Sequence, residues 1–376
     1  MTQRSRVLGA VIGLLLLGVV LSACGAAPVA QNWPGLTVEG DTIYAISGLP
    51  QQVYMLDAET AIQKATFMPQ GEHRGVVYWS PVTLGEDLAF VGFAEDGADV
   101  AGLYAFDPET GQEQWNIPVK NLVLPAPTYD DGVVYFGDSD GFVYAVDVES
   151  RSIKPGWPFE AKDAIWASPL VAGGRVYVAG MGHYLYCLDA ESGQVLWERE
   201  IGAAMAKSPT LEDGILYVGA FDGKVHAINA DSGEPIEGFD FQAENWIWST
   251  PLLADGQLYV TSLDGKLYTL DPSNGAVLST YDSGEVSGGK DVLRAGPVQA
   301  GESIVVASES GRVIDVQDAQ RRWYWPSGVP EAGVYTTPVV SGDRIYVLLM
   351  NGQVQALEAE TGAQVPGWPF TPPQSE

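Results

Sequence analysis

Residues 185–193 read Leu185-Tyr186-Cys187-Leu188-Asp189-Ala190-Glu191-Ser192-Gly193, and versions of this phrase occur eight times in the chain. The other copies begin at Val53, Leu103, Val143, Val225, Leu267, Val313 and Val354. Their fifth positions lie 50, 40, 42, 40, 42, 46 and 41 residues apart. A strand-rich unit that recurs about every 42 residues is typical of a propeller blade, so the repetition predicts an eight-bladed, all-β propeller.

A second phrase recurs in phase with the first, and it supplies the other strands of each repeat. Its proline stands at Pro81, Pro127, Pro169, Pro209, Pro251, Pro297 and Pro338. Alternating β-branched and aromatic runs such as Arg175-Val176-Tyr177-Val178-Ala179 follow, which is a strand signal. Each blade is therefore predicted to contain four antiparallel strands.

Asp-Gly and Asn-Gly pairs predict where these strands turn. They occur at Asp140-Gly141, Asp222-Gly223, Asp264-Gly265 and Asn351-Gly352. We expect two-residue type I′ hairpins there, with positive φ at both central residues. The propeller is predicted to span residues 36–370 and to end with a strand from Ala363 to Phe370, so that the two terminal strands lie in separate blades.

Four tryptophans are expected to pack between blades. Trp115 and Trp197 stand four residues after the glycine of the repeat, whereas Trp157 and Trp368 occur in two near-identical Pro-Gly-Trp-Pro-Phe segments. A buried indole covers on the order of 200 Å², which suits the gap between neighbouring sheets.

The first residues predict export and lipidation. Arg4 and Arg6 precede an apolar run over residues 7–20, and Leu21-Ser22-Ala23-Cys24 follows. This pattern is typical of a bacterial lipoprotein signal; an ordinary secretory signal is the alternative. We expect removal of residues 1–23, lipid on Cys24, a tether over 24–35 and a C-terminal tail over 371–376. Gly25 favours sorting of the lipoprotein to the periplasmic face of the outer membrane if the bacterium is a diderm. Otherwise we expect the anchor on the outer face of the cytoplasmic membrane.

Charge limits the partners of the exported protein. The chain has 48 acidic and 19 basic residues, and its net charge is −29. Such a surface repels nucleic acid and anionic head groups, so no nucleic-acid partner is expected and membrane contact is assigned to the lipid.

The segment Leu103-Tyr104-Ala105-Phe106-Asp107-Pro108-Glu109-Thr110-Gly111 with Trp115, and Ser168-Pro169 with the following strand, resemble the PQQ-like propeller repeat. Eight such repeats behind a lipoprotein signal resemble the BamB family of outer-membrane assembly lipoproteins. This resemblance implies a non-catalytic scaffold whose partners are envelope proteins, including an outer-membrane assembly complex. Because propellers carry many unrelated functions, a ligand- or polysaccharide-sensing propeller remains an alternative.

A PQQ-dependent oxidoreductase is the other alternative, because quinoprotein dehydrogenases share this repeat. Those enzymes hold PQQ beside a disulfide of adjacent cysteines and a calcium ion, and this chain has no Cys-Cys pair. His73, His183 and His226 are scattered and lack metal-ligand spacing. We therefore expect no catalytic residue, no metal site and no cofactor.

The candidate site for a partner or ligand is a ring at one mouth of the central channel. It comprises residues three positions before the repeat prolines, together with a neighbouring lysine: Tyr78, Trp166, Trp248, Arg294, Tyr335 and Lys207. Aromatic residues and arginine are common anchors of protein interfaces. The competing interpretations are that these side chains cap the blades, or that partners bind at the blade edges.

Leu293-Arg294 gives the ring a further resemblance to the BamB family, in which a Leu-Arg pair in one such loop contacts a barrel partner. The loop here reaches its proline sooner and belongs to a later blade. On the ring interpretation, Arg294 faces a solvent-filled mouth.

Overall fold

The repeats form eight antiparallel sheets arranged in chain order, as the sequence predicted. This computed structural model describes residues 35–47, 51–69, 76–95 and 100–373. In the first two blades the strands are β1 Leu36–Glu39, β2 Thr42–Ser47, β3 Gln52–Asp57 and β4 Gln63–Phe67, then β5 Val76–Tyr78, β6 Thr83–Leu84, β7 Ala89–Glu95, β8 Ala101–Phe106 and β9 Glu113–Val119. In the third and fourth they are β10 Thr128–Asp130, β11 Val133–Gly137, β12 Phe142–Asp147, β13 Ser152–Ile153 and β14 Phe159–Glu160, then β15 Leu170–Ala172, β16 Arg175–Ala179, β17 Tyr184–Asp189 and β18 Val195–Glu200.

The second half of the chain continues the same order. The fifth and sixth blades contain β19 Thr210–Glu212, β20 Ile215–Gly219 and β21 Val225–Asn229, then β22 Leu252–Ala254, β23 Gln257–Thr261, β24 Lys266–Leu270 and β25 Val277–Asp282. The seventh and eighth contain β26 Val298–Ala300, β27 Ser303–Ala307, β28 Val313–Gln317 and β29 Gln320–Trp325, then β30 Val339–Ser341, β31 Arg344–Leu348 and β32 Val354–Glu358. A single short helix, α1 Gly284–Ser287, occurs in the described ranges, and none there has the length and apolarity to cross a membrane.

The innermost strands of neighbouring blades contact one another around a central axis. Such contacts join β6 to β10, β10 to β15, β19 to β22 and β26 to β30, and a contact between β30 and β1 closes the ring. Side chains reinforce this closure, because Tyr346 Oη and Arg344 Nη1 donate to the Ala58 carbonyl at 2.9 and 2.8 Å. The first strand thus stays in its own blade and does not complete the last one, as predicted.

The outer strand differs from the prediction in three blades. The expected strand from Ala363 to Phe370 is present only as two pairs, Gln364 with Leu357 and Phe370 with Val354. Between them the chain turns, with the Trp368 N–H donating to the Val365 carbonyl at 3.2 Å. The same interruption separates β13 from β14 in the third blade and reduces the fifth blade's outer strand to isolated pairs.

The type I′ hairpins lie at a different pair of strands from the one predicted. Gly141 has φ 97°, but Asp140 is not in the left-handed region, and the connection from β11 to β12 takes four residues. Two-residue turns with positive φ at both positions instead join the first and second strands, at Asp131-Gly132, Asp213-Gly214 and Asp255-Gly256. An Asp-Gly pair therefore marked a turn correctly without fixing its length.

Tyrosines and tryptophans hold neighbouring blades together. A tyrosine of the second strand donates its hydroxyl to a turn carbonyl in the next blade at Tyr44, Tyr135, Tyr177, Tyr217 and Tyr346. The four predicted tryptophans lie at the same boundaries: Trp115, Trp157 and Trp368 are at least 92% buried, and half-buried Trp197 donates its Nε1–H to the Ala230 carbonyl at 3.0 Å. Trp323, which the repeat pattern did not predict, likewise donates its Nε1–H to the Ala359 carbonyl at 3.1 Å.

The repeat aspartate shapes the turn after the third strand. Asp189 Oδ1 accepts the N–H of Ser192 at 2.8 Å and its hydroxyl at 2.7 Å. Hydrogen bonds to the ionised carboxylate lower its pKa, with the Ser192 hydroxyl as the largest cause. The pKa is lowered in the same way at Asp57, Asp107, Asp147 and Asp271.

Candidate partner-binding site at the connection mouth

The blade-to-blade connections and the hairpins between second and third strands lie at one end of the channel, which we call the connection mouth. The opposite end, the turn face, carries the turns that follow the repeat aspartates. At the mouth one backbone bond of 2.9 Å recurs in six blades, from Ser139, Met181, Phe221, Leu263, Glu309 and Met350 of the hairpins to carbonyls of the connections. These bonds fix each connection against its blade.

Four of the predicted ring residues come together there. The Arg294 guanidinium carbon lies 4.6 Å from the ring centre of Trp248 and 5.6 Å from that of Tyr335. Trp166 also lies close to Trp248, with 6.4 Å between ring centres. The intervening blade has Ala206 at the equivalent position, and its small side chain leaves room for this approach. The ring is therefore a packed aromatic cluster around one guanidinium.

Two further aromatic residues extend the cluster toward solvent. Phe221 stacks on Trp248 with 4.8 Å between ring centres, and Trp246 stacks on Phe221 at 4.7 Å and an interplanar angle of 6°. Trp248 is only 5% exposed, whereas Trp246 is 47% exposed. Trp246 therefore presents the accessible indole of the site.

Arg294 is held within the mouth and does not face open solvent. Its Nε pairs with Glu309 Oε1 at 2.5 Å, and the side chain is 16% exposed. The adjacent Leu293 is fully buried. The expectation of a solvent-facing arginine is therefore wrong, because Glu309 and Trp248 enclose it.

Lys207 supplies a second basic group near this cluster, because it follows Ala204, whose carbonyl accepts the Phe221 N–H at 2.9 Å. Its surface is accessible to water, yet the surrounding protein desolvates the ammonium and lowers its pKa, and the charge of Arg294 lowers it further. Both observations fit a side chain inside the channel. No carboxylate of the described residues forms an ion pair with Lys207.

Tyr78 does not join the ring, so its assignment to the site is corrected. It is 1% exposed and packs with Phe67 and Tyr104 in the core between the first two blades. The cause is β5, a strand that the other blades lack. It pairs with β7, so Tyr78 lies within the sheet and not in a connection.

Phe221 and Glu309 belong to the site but are not indicated by the repeat prolines, although one signal in the sequence marks both. They occupy the same hairpin position, two residues before Gly223 and Gly311. Aligning the hairpins by these glycines shows a position that varies from blade to blade and faces the connections. Variable positions in both the connections and the hairpins therefore mark the site.

Carboxylates surround the site at some distance from its centre. Exposed acidic residues in the same loops are Asp163, Asp222, Glu244 and Glu331. Exposed lysines, Lys120, Lys162 and Lys290, lie in the same connections, and Lys162 and Lys266 form ion pairs with Glu198 and Glu244, so the rim carries both signs of charge.

The described chain enters the propeller at the connection mouth. The Ile46 N–H donates to the Gly35 carbonyl at 2.9 Å, and Gly35 lies against Ser80 and Pro81, which belong to a connection. Cys24 and the predicted boundaries at residues 23 and 35 fall outside the described residues or at their edge, so lipidation stays a prediction.

Within the described ranges, no three His, Cys, Asp or Glu side chains are grouped as metal ligands. Cys187 is fully buried, and desolvation raises its pKa to about 11. A thiol in that environment is unreactive at neutral pH.

Comparison with known proteins places this architecture in a family. The family model described as "Outer membrane protein assembly factor BamB" matches residues 51–154 and 152–365. Assembly factor BamB of Yersinia pestis is 23% identical over 69% of this chain and 67% of its own length; that of Nitrosomonas eutropha is 26% identical over 38% and 34%. The crystal structure of BamB from Moraxella catarrhalis has a TM-score of 0.67 at 19% identity, covering 85% of this chain and 92% of that one. This chain belongs to the BamB family of PQQ-repeat propellers.

Proposed function

We propose that this protein is a non-catalytic, lipid-anchored scaffold of the bacterial cell envelope that acts in outer-membrane protein assembly. The observation that supports a binding role is an aromatic stack in an otherwise repetitive propeller: it begins at Trp248, on which Arg294 lies, and continues through Phe221 to exposed Trp246. Relatives that are named outer membrane protein assembly factors support outer-membrane protein assembly as the process in which it acts.

The position of the chain entry supports an orientation for this scaffold. Ten residues separate Cys24 from Gly35, and an extended chain of that length reaches at most about 35 Å. Lipid on Cys24 would therefore keep the connection mouth near the membrane. Partners at the membrane surface would meet the aromatic cluster first.

The proposal is tested in cells of the source organism by replacing the gene with the Trp246→Ala variant. We expect lower amounts of folded outer-membrane proteins and loss of the assembly proteins that co-purify with the wild-type chain. The matched control is Leu196→Ala, because Leu196 is 50% exposed but lies on the outer strand β18. If Leu196→Ala causes the defect and Trp246→Ala does not, partners bind at the blade edges instead.

Lipidation and cofactor dependence have separate tests. Cys24→Ser should release the protein from membranes without changing its unfolding, and membrane retention after signal cleavage would place the anchor elsewhere.

PQQ with calcium should leave the melting temperature unchanged, because this scaffold requires no redox group. Stabilisation by micromolar PQQ would favour the oxidoreductase alternative.

A further inference from the structure

The connection mouth has a positive charge that the described part of the protein does not balance. Glu309 is engaged by Arg294, whereas exposed Lys207 has no carboxylate partner among the described residues. Lys207 lies three residues after Ala204, whose carbonyl accepts the Phe221 N–H at 2.9 Å, so it adjoins the aromatic stack. Two neighbouring cations with one carboxylate repel each other. An incoming carboxylate would reverse this cost because it would interact favourably with both.

The flat surface beside these cations is suited to a ring or an apolar side chain. Trp246 is held nearly parallel to Phe221, which is itself stacked on Trp248. A side chain supported in this way loses little conformational entropy when a ligand covers it. The site thus combines a rigid apolar surface with an unbalanced cationic group.

The net charge of the protein limits how many charges a ligand can carry. Asp163, Asp222 and Glu331 are exposed in loops that also carry exposed lysines, but the chain as a whole has a net charge of −29. A polyanion such as a uronic-acid polymer would place further carboxylates against this net negative surface and be repelled. An isolated carboxylate between neutral groups would avoid that repulsion.

Resting on the proposed function, we propose that the connection mouth binds an extended segment of a partner protein carrying one carboxylate close to one aromatic side chain. The carboxylate pairs with Lys207 and adjoins Arg294, while the aromatic ring lies on Trp246. Charge complementarity favours this occupant over an anionic polysaccharide or a lipid head group. Lys207 confers selectivity for the acid, and Trp246 contributes affinity for the ring.

The purified mature protein, labelled with 5-fluorotryptophan, can be titrated with blocked peptides that contain one Trp and one Glu separated by zero, one or two glycines. Matched peptides contain Gln in place of Glu. We expect the best Glu peptide to bind about tenfold more tightly than its Gln counterpart, since a charge-assisted hydrogen bond distinguishes them. The fluorine resonance of Trp246, assigned with Trp246→Phe, should shift on binding.

Variants then separate the two contributions. Lys207→Gln should reduce affinity for the Glu peptide to that for the Gln peptide, and Lys207→Arg should restore the preference. Trp246→Ala should weaken both peptides with an unchanged melting temperature. An unaltered Glu preference in Lys207→Gln, absence of Glu-peptide binding up to about 10 mM, or tighter binding of oligogalacturonate than of any peptide overturns the proposal.

The same variants distinguish this inference from the proposed function. If Trp246→Ala impairs outer-membrane protein assembly in cells while Lys207→Gln changes neither assembly nor peptide binding, the scaffold role stands and the carboxylate preference fails. If the peptides bind as expected but neither variant alters assembly, the peptide specificity stands and the assembly role fails.

Discussion

The two ends of the propeller share one backbone but differ in how their side chains vary. At the turn face, the same tyrosine-to-carbonyl and aspartate-to-turn hydrogen bonds recur in most blades. At the connection mouth the backbone bonds recur, but the side chains three positions before each proline include Leu, Trp, Ala, Arg and Tyr. Repetition stabilises the ring at one end, whereas variation at the other leaves residues available for recognition.

The largest expected effect comes from disturbing the repeated end at Gly233. Its φ is 71°, and an added Cβ would lie 2.7 Å from the Trp197 ring. Gly233→Ala should reduce the free energy of unfolding by about 3 kcal/mol, since a left-handed residue and a steric overlap each cost 1 kcal/mol or more. Urea unfolding measures the change.

Gly214 in the same blade provides the matched control. Its φ is 75°, but no atom lies within 4 Å of an added Cβ. Gly214→Ala should therefore lose only about 1 kcal/mol, the backbone contribution alone. Equal losses for the two variants would show that packing on Trp197 does not stabilise the blade boundary.

A smaller effect is expected at Asp315, where a charge breaks the repeat. Other blades place residues such as Ala145 and Cys187 at this position. Asp315 is fully buried, and desolvation raises its pKa, although Ser303 and the Arg322 guanidinium 3.2 Å away partly offset this. Asp315→Asn should gain about 1 kcal/mol at pH 7, because the neutral amide is easier to bury than the carboxylate.

The gain at Asp315 should depend on pH in a definite direction. A raised pKa means that folded Asp315 binds a proton more readily than unfolded Asp315, so wild-type stability recovers as pH falls through the folded pKa toward the unfolded value of 3.8. The difference between variant and wild type should shrink over that range. A difference that stays constant from pH 7 to pH 4 would mean that the charge of Asp315 is not its cause.

The fold could be predicted because its signal is periodic. Eight copies of one phrase determine the number of blades whatever happens in any single loop. The sequence could not show the outer-strand interruptions or the turn lengths, because an Asp-Gly pair is compatible with both a two-residue and a four-residue connection. Trp323 was missed because its repeat has a shorter turn without the glycine that located Trp115 and Trp197.

The candidate site could be predicted only in part, because it combines two loops from different blades. Counting back from the prolines located Trp166, Trp248, Arg294 and Tyr335, which the structure brings together. The same count failed at Tyr78, where an additional strand changes the path of the chain. Phe221 and Glu309 come from hairpins, so their contacts depend on packing between blades that no single repeat reveals.

The smallest expected effect is the loss of stability at the turn face in acid, and a substitution at Asp189 measures it. The lowered pKa of Asp189 means that its stabilisation is complete above the unfolded value of 3.8 and is lost as pH falls through the lower folded value. Asn229 makes the equivalent bond in the next blade, accepting the Ser232 N–H at 2.9 Å without a charge. Asp189→Asn should therefore have a slightly lower melting temperature than wild type at pH 7, and this deficit should shrink progressively as pH falls below 3.8. A deficit that does not change over that range would mean that the shape of the side chain, and not its charge, stabilises the turn.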